Sequence, residues 1–225
     1  MTLDSTIKLV AFDVDGTLTA EKSAWAYIHR KLGIWEDVGE KYLHQFRAGE
    51  ITYAEFARLD ALRWKGVSRE KLMNILEEIS VMEKAVLAVE KIKQQRNVEV
   101  ALISSGLLPL VERVALELDI KHFVGNELMI EKGILTGKAR VNVSLDIWEM
   151  SKGAYLNRLA EQLNITPGEA AAVGDGLGDL DMFKAAGVSL LVNCCSDERE
   201  IVVQQVENIL DVGCITRVPE VLGFK

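Results

Sequence analysis

The chain contains, near its start, the stretch Leu9-Val10-Ala11-Phe12-Asp13-Val14-Asp15-Gly16-Thr17-Leu18-Thr19. An apolar run that stops at a glycine turn predicts a buried strand ending next to Asp13. The turn lets Asp15, two residues later, point into the same space. Side chains that follow strands on rigid scaffolds often carry chemistry. Two such carboxylates therefore suit a reaction in which one of them acts as a nucleophile.

A second apolar run, residues 98–103, leads into Ser104, Ser105 and Gly106. Glycine permits a close approach of the backbone, and the helix that follows offers the N–H groups of its first turn. The Ser104 hydroxyl and the neighbouring backbone N–H groups are therefore predicted to bind phosphate oxygens.

Two later segments bring further charges. Lys152 opens a predicted helix, and an apolar run ends in the loop Gly174-Asp175-Gly176-Leu177-Gly178-Asp179. This loop repeats the first arrangement, in which a strand ends in carboxylates on a glycine-rich turn.

In this order along the chain, the four segments resemble motifs I to IV of the haloacid dehalogenase superfamily, most of whose members are Mg²⁺-dependent phosphatases. The helical insertion, a Lys-Gly hairpin and the end of the fourth motif resemble the phosphoserine phosphatase branch. The resemblance implies that Asp13 attacks phosphorus to form an aspartyl phosphate and that Asp15 acts as general acid and base. It also implies that Ser104, Ser105, Gly106 and Lys152 bind the phosphate.

Aspartates gathered in one crevice repel one another, so the cluster requires cations. Mg²⁺ prefers hard oxygen ligands and contact with substrate phosphate. Asp13 and Asp175 are predicted to supply carboxylate oxygens and Asp15 its backbone carbonyl, while Asp179 orients the other ligands. Lys152 adds a further positive charge.

The roughly ninety residues between the first two motifs exceed what one crossover needs, which predicts an insertion. We expect a helical cap at residues 20–81 and an α/β core at residues 1–19 and 82–225. Alternating strand and helix patterns predict a doubly wound, mostly parallel sheet with active residues at the carboxyl ends of its strands.

The substrate-selecting positions differ from the phosphoserine phosphatase branch. Counted from the motifs, Lys22 stands where the branch has a glutamate for the substrate amine, and Asp60 stands where it has an arginine for the carboxylate. A substrate carboxylate facing Asp60 would be repelled, which makes phosphoserine a doubtful substrate. Glu21 precedes Lys22, and Arg58 and Arg63 flank Asp60, so a one-residue slip in register could bring Glu21 and an arginine into place, with Arg58 a candidate.

Composition favours a small-molecule enzyme. The chain has 26 basic and 34 acidic residues among 225, a net charge of −8, which disfavours binding to nucleic acid or anionic membranes. Residues 1–10 carry no targeting pattern, and no apolar run approaches the ~20 residues of a membrane span. We expect a cytoplasmic protein acting on a small phosphate ester, with its oligomeric state open.

Two alternatives remain at this level. A phosphomutase or phosphotransferase uses the same intermediate with another acceptor in place of water. A catalytically silent module would hold Mg²⁺ and a phosphorylated ligand without turnover.

Overall fold

The computed structural model describes residues 7–224, apart from the side chain of Asp37. The first six residues of the predicted core, and the last residue of the chain, lie outside the described residues.

A seven-stranded sheet forms the centre of the described chain, in the order β4-β3-β2-β1-β5-β6-β7. Every neighbouring pair is parallel except β3 and β4. The predicted fold class, a doubly wound and mostly parallel α/β sheet, is confirmed. The strands are β1 Leu9–Phe12, β2 Glu99–Leu107, β3 His122–Glu131, β4 Ile134–Arg140, β5 Ala170–Gly174, β6 Val188–Val192 and β7 Ile209–Gly213.

Helices cover both faces of the sheet. Side chains alternate along β1, so Val10 and Phe12 pack into one buried cluster while Leu9 and Ala11 pack into the other. Among residues 7–224, no helix combines the length and apolar composition that crossing a membrane requires. The α-helices are α1 Ala24–Lys31, α2 Glu40–Arg47, α3 Tyr53–Arg63, α4 Arg69–Glu77, α5 Glu83–Lys93, α6 Leu108–Glu117, α7 Lys152–Gln162, α8 Leu180–Ala185, α9 Ser196–Gln205 and α10 Val218–Val221.

Helices α1 to α4 lie between β1 and β2, in the range where the sequence predicts an insertion. An antiparallel bridge between Thr19 and Val81 joins its two ends. The chain leaves α1 and α2 through Gly33 and Gly49, whose positive φ angles of 69° and 71° suit glycine at a helix end. These contacts support a division at residues 20–81, which stays a prediction.

The hairpin of β3 and β4 packs against this insertion. Its turn, Lys132 and Gly133, has positive φ angles of 51° and 79°, as the Lys-Gly turn predicted. The Leu135 N–H donates to the carbonyl of Val67 at 2.9 Å, so backbone hydrogen bonds tie the hairpin to the segment between α3 and α4.

The second motif lies inside a strand rather than after one. The run at residues 98–103 predicted that β2 ends at Ile103, but the strand continues to Leu107. Its register with β3 shifts between these two residues. Such an irregularity can re-aim side chains and backbone groups, and Gly106, within it, lies against Asp15 of the first motif.

Helix α7 packs closely on α8 at Gly153. A Cβ atom there would lie 2.3 Å from the backbone carbonyl oxygen of Asp181. Because backbone cannot yield as a flexible side chain can, α7 must keep glycine at this position. The contact also places the first residue of α7, Lys152, beside the start of α8.

We therefore expect Gly153→Ala to lower the free energy of unfolding by about 1–3 kcal/mol, the typical cost of overpacking. Urea denaturation measures the change. Gly168→Ala is the control, because a Cβ there meets no atom within 4 Å. Equal stability of the two variants would contradict the packing argument.

Candidate active site

The four motifs meet at the carboxyl ends of three neighbouring strands. β1 lies between β2 and β5, with Phe12 opposite both Leu102 and Val173. Asp13 and Asp175 directly follow β1 and β5, so their side chains emerge at the same edge of the sheet. The structure thus brings together residues that are far apart in the sequence.

Three carboxylates form a compact cluster at this edge. One oxygen each of Asp13, Asp175 and Asp179 lies within 4.8 Å of the others. Gly16, at a φ of 80°, allows the approach, since a Cβ there would lie 2.3 Å from Asp175 Oδ2. Asp179 Oδ2 accepts hydrogen bonds from the N–H groups of Asp175 at 2.9 Å and Gly176 at 3.2 Å, which fixes its orientation.

Lys152 neutralises part of this charge. Its ammonium is buried and donates to Asp13 Oδ1 at 2.5 Å and to Asp179 Oδ1 at 2.6 Å. Burial works to lower the pKa of Lys152, but the two carboxylates outweigh burial and raise it. The side chain therefore stays charged.

One ammonium does not balance the cluster. Burial, with Asp179 and Asp175 adding to it against the opposing effect of Lys152, raises the pKa of Asp13 to about 7. Burial and then Asp179 raise the pKa of Asp175 to about 6, although Lys22 opposes them. A further cation next to these carboxylates would stabilise their ionised forms.

The two carboxyl oxygens of Asp15 differ in their hydrogen bonding. Its Oδ2 accepts from the N–H of Ala24 at 3.1 Å, but its Oδ1 is buried and has no hydrogen-bond partner in the described part of the protein. Burial, and then Asp13, raise the pKa of this carboxyl to about 7. The carboxylates of Asp13, Asp175 and Asp179 are hard oxygen donors, so the cluster beside Asp15 fits a divalent metal ion.

Ser104 and Gly106 border the same space. The Ser104 hydroxyl is buried, and its Oγ accepts from the Gly106 N–H at 2.9 Å. A Cβ at Gly106 would lie 2.5 Å from Asp15 Oδ2 and 3.0 Å from Ser104 Oγ. Asp15 Oδ2 and Ser104 Oγ therefore lie on either side of the space that a Gly106 side chain would fill.

Of the four candidate selecting residues, Lys22 reaches the crevice. Its ammonium donates to Asp175 Oδ2 at 2.7 Å, and its side chain is 51% exposed. Glu21 binds Arg30 at 2.7 Å, and Arg58 binds Glu55 at 2.8 Å, both on the surface of the insertion.

The hypothesis that Asp60 faces the substrate is wrong. The Asp60 side chain is buried inside the insertion, where its Oδ1 lies 2.9 Å from His29 Nε2. Burial raises the pKa of Asp60, and His29 opposes that rise. Counting residues from Gly49 gave the position along α3, but the direction of the side chain depends on how α3 packs on α1.

Two asparagines that sequence reasoning missed support the site. Asn193 donates to the carbonyls of Gly16 at 3.3 Å and Thr17 at 3.2 Å, bracing the first motif. Asn126 is fully buried in β3 and bonds to Ser105. No pattern in the sequence marks Asn126, because its place in β3 and its burial follow from tertiary packing.

Comparison with protein families decides the relationship. The family model described as haloacid dehalogenase-like hydrolase matches residues 10–184. The chain belongs to this family. The matched range contains all four motifs, so the predicted resemblance is confirmed.

Three curated relatives of the chain are named phosphoserine phosphatase. Phosphoserine phosphatases of Archaeoglobus fulgidus, Methanocaldococcus jannaschii and Albidiferax ferrireducens are 28%, 29% and 31% identical to it over 214, 183 and 206 residues. The alignments cover 94%, 81% and 91% of this chain, and 60%, 84% and 86% of the respective relatives. The chain thus spans less than two thirds of the length of the Archaeoglobus fulgidus protein.

Solved structures share the fold. A phospho-aspartyl intermediate analogue of phosphoserine phosphatase superposes with a TM-score of 0.80 at 24% identity, covering 95% of this chain and 98% of the other. A substrate-bound phosphoserine phosphatase complex gives a TM-score of 0.79 at 23% identity, with coverages of 95% and 97%.

The pairing of Lys22 with Asp175 predicts competition with metal. We expect Lys22→Met to tighten Mg²⁺ binding about fivefold, since a partly exposed ion pair is worth up to ~1 kcal/mol. Calorimetric titration of the metal-free protein measures the affinity. Lys31→Met, which breaks a surface pair with Glu78 instead, is the control. Unchanged or weaker Mg²⁺ binding by Lys22→Met would contradict the prediction.

Proposed function

We propose that this hydrolase is a Mg²⁺-dependent phosphomonoesterase that acts on a small phosphorylated metabolite through an aspartyl-phosphate intermediate. The observation that carries the proposal is the cluster of Asp13, Asp175 and Asp179 at the strand ends, in which the buried Lys152 ammonium binds Asp13 and Asp179. The names of the relatives support a phosphatase, and none of those reported supports a phosphomutase or a silent binding module.

In the proposed reaction, a carboxylate oxygen of Asp13 attacks phosphorus in line with the leaving alkoxide. The Lys152 ammonium, the Ser104 hydroxyl and the backbone N–H of Ser105 hold the equatorial oxygens on which transition-state charge is spread, while the Gly106 N–H donates to Ser104 Oγ. Asp13 then bears the phosphoryl group as a mixed anhydride.

Asp15 is placed to move the protons. Its carboxyl lies beside Ser104 and Gly106, and a pKa raised to about 7 leaves part of its population protonated at neutral pH. Protonated Asp15 gives its proton to the departing alkoxide and, as a carboxylate, accepts one from the water that hydrolyses the anhydride.

Asp13, Asp175 and the backbone carbonyl of Asp15 would hold Mg²⁺, and Asp179 would orient these ligands. When bound, the ion would offset the repulsion between the phosphate and the carboxylate nucleophile. The choice of Mg²⁺ rests on its preference for carboxylates and phosphate oxygens.

The relatives suggest phosphoserine as a substrate, but the charges at the crevice do not single it out. Asp60 is withdrawn from the crevice, while the Lys22 ammonium favours a negative group on the alcohol over an amine. A panel of phosphorylated amino acids, sugars, nucleotides and carboxylic acids tests the selection. The cytoplasmic location expected from the sequence stays a prediction.

Removal of the nucleophile or of the metal should abolish turnover. We expect Asp13→Asn to lower p-nitrophenyl phosphate hydrolysis by at least about a thousandfold, because an amide oxygen cannot replace the attacking carboxylate. EDTA should have the same effect on the wild type, reversed by excess Mg²⁺. Asp181→Asn, on α8 beyond the cluster, serves as control. Retained turnover in Asp13→Asn would refute the proposal.

Asp15→Asn should separate the two half-reactions. Because p-nitrophenolate leaves without much help from an acid, the phosphoenzyme still forms, but an amide cannot take the proton from water and the anhydride persists. Intact mass after acid quench should show a phosphorylated protein, absent from Asp13→Asn/Asp15→Asn. Wild-type turnover by Asp15→Asn would contradict the acid and base role.

A further inference from the structure

The carbonyl of Ser105, in the middle of the second motif, is held by side chains from two distant segments. Asn126 Nδ2, from β3, donates to it at 2.8 Å, and the Tyr53 hydroxyl, from the start of α3, donates to it as well. Trp25 Nε1 of α1 also donates to this carbonyl, at the longer distance of 3.4 Å. We call the contacts of Tyr53 and Asn126 with this carbonyl the Ser105 clamp.

Both donors of the clamp are themselves fixed. The Asn126 amide oxygen accepts from the N–H groups of Asn142 at 2.7 Å and Val143 at 2.8 Å, and its nitrogen also donates to the Val143 carbonyl at 3.0 Å. The backbone N–H of Tyr53 donates to Asp146 Oδ2 at 2.7 Å. Burial raises the pKa of the Tyr53 hydroxyl, so it remains a donor.

The clamp fixes more than one carbonyl, because a trans peptide is planar and its C=O and N–H point in opposite directions. Holding the Ser105 oxygen toward Tyr53 therefore aims the Gly106 N–H the other way, at Ser104 Oγ, 2.9 Å away. As an acceptor from Gly106, the hydroxyl oxygen of Ser104 keeps its own proton free to donate.

We infer that Tyr53 is a positioning residue, whose hydroxyl orients the Ser104 hydroxyl toward phosphate through the Ser105 carbonyl and the Gly106 N–H. The inference rests on the proposed function and names a role for a residue of the insertion. The insertion thereby contributes to phosphate binding as well as covering the crevice, and the phosphate-binding groups are complete only when α3 is seated.

Tyr53→Phe removes the hydroxyl that donates to the Ser105 carbonyl and that accepts from Asn126 Nδ2 at 3.1 Å, so it breaks both contacts of Tyr53 within the clamp. The phenyl ring keeps its neighbours, since Tyr53 packs against Phe46 and Phe56 at centroid distances of 5.5 and 5.9 Å. Tyr27→Phe is the matched control, because it removes a tyrosine hydroxyl of the same insertion that bonds to exposed Glu78 at 3.1 Å.

We expect Tyr53→Phe to weaken the binding of inorganic phosphate, and to raise KM for p-nitrophenyl phosphate, by about tenfold, the effect of losing one buried hydrogen bond. Calorimetry in MgCl₂ and steady-state kinetics measure the two quantities. Tyr27→Phe should match the wild type. A purely structural role would instead lower the thermal midpoint and kcat while leaving KM and phosphate affinity unchanged.

A double-mutant cycle decides whether Tyr53 acts through Ser104. If it does, Tyr53→Phe/Ser104→Ala binds phosphate no more weakly than Ser104→Ala alone. Effects that multiply, or a Tyr53→Phe protein that binds phosphate like the wild type, overturn the inference. If the wild type binds phosphate but does not hydrolyse esters, the proposed function is refuted, and the double-mutant cycle still tests the role of Tyr53. If the wild type binds no phosphate, both the proposed function and the role of Tyr53 are overturned.

Discussion

The buried ammonium of Lys152 is the constraint on which the site depends. A charge removed from water is stable only beside well-placed opposite charges, and here Asp13 and Asp179 provide them at 2.5 and 2.6 Å. These partners lie on two loops that follow neighbouring strands. The order of β1 and β5 and the close contact of α7 with α8 at Gly153 are both needed to bring them within reach. The fold thus determines the electrostatics of the crevice.

The same ion pairs leave charge to be balanced. Lys152 offsets the carboxylates only in part, as the raised pKa values of Asp13, Asp15 and Asp175 indicate. Lys22 supplies a second ammonium from the rim of the crevice, where solvent screens it and exchange with other cations is easy. A buried fixed cation beside an exposed exchangeable one suits a site that takes up a metal ion and an anionic substrate together.

Two separate groups of buried polar contacts involve the insertion. One is the buried pair of His29 and Asp60, which packs against Trp64 with the His29 and Trp64 rings 5.0 Å apart and has no direct part in the crevice. The other is the Ser105 clamp, which links α3 to the second motif within β2. Helices that would otherwise only cover the crevice therefore reach the backbone of the second motif.

The local sequence pattern determined many of the secondary-structure elements of this protein. The strands that Asp13 and Asp175 directly follow, the helix that starts at Lys152 and the turn at Gly133 depend on neighbours in the sequence, so the motifs and the fold class could be predicted. Asp60, Asn126 and the end of β2 could not. Their roles depend on which way a side chain points after distant segments pack, and one residue of helical phase or a strand irregularity changes that direction. Only the tertiary structure decided that Asp60 turns inward while Tyr53 and Asn126 meet at Ser105.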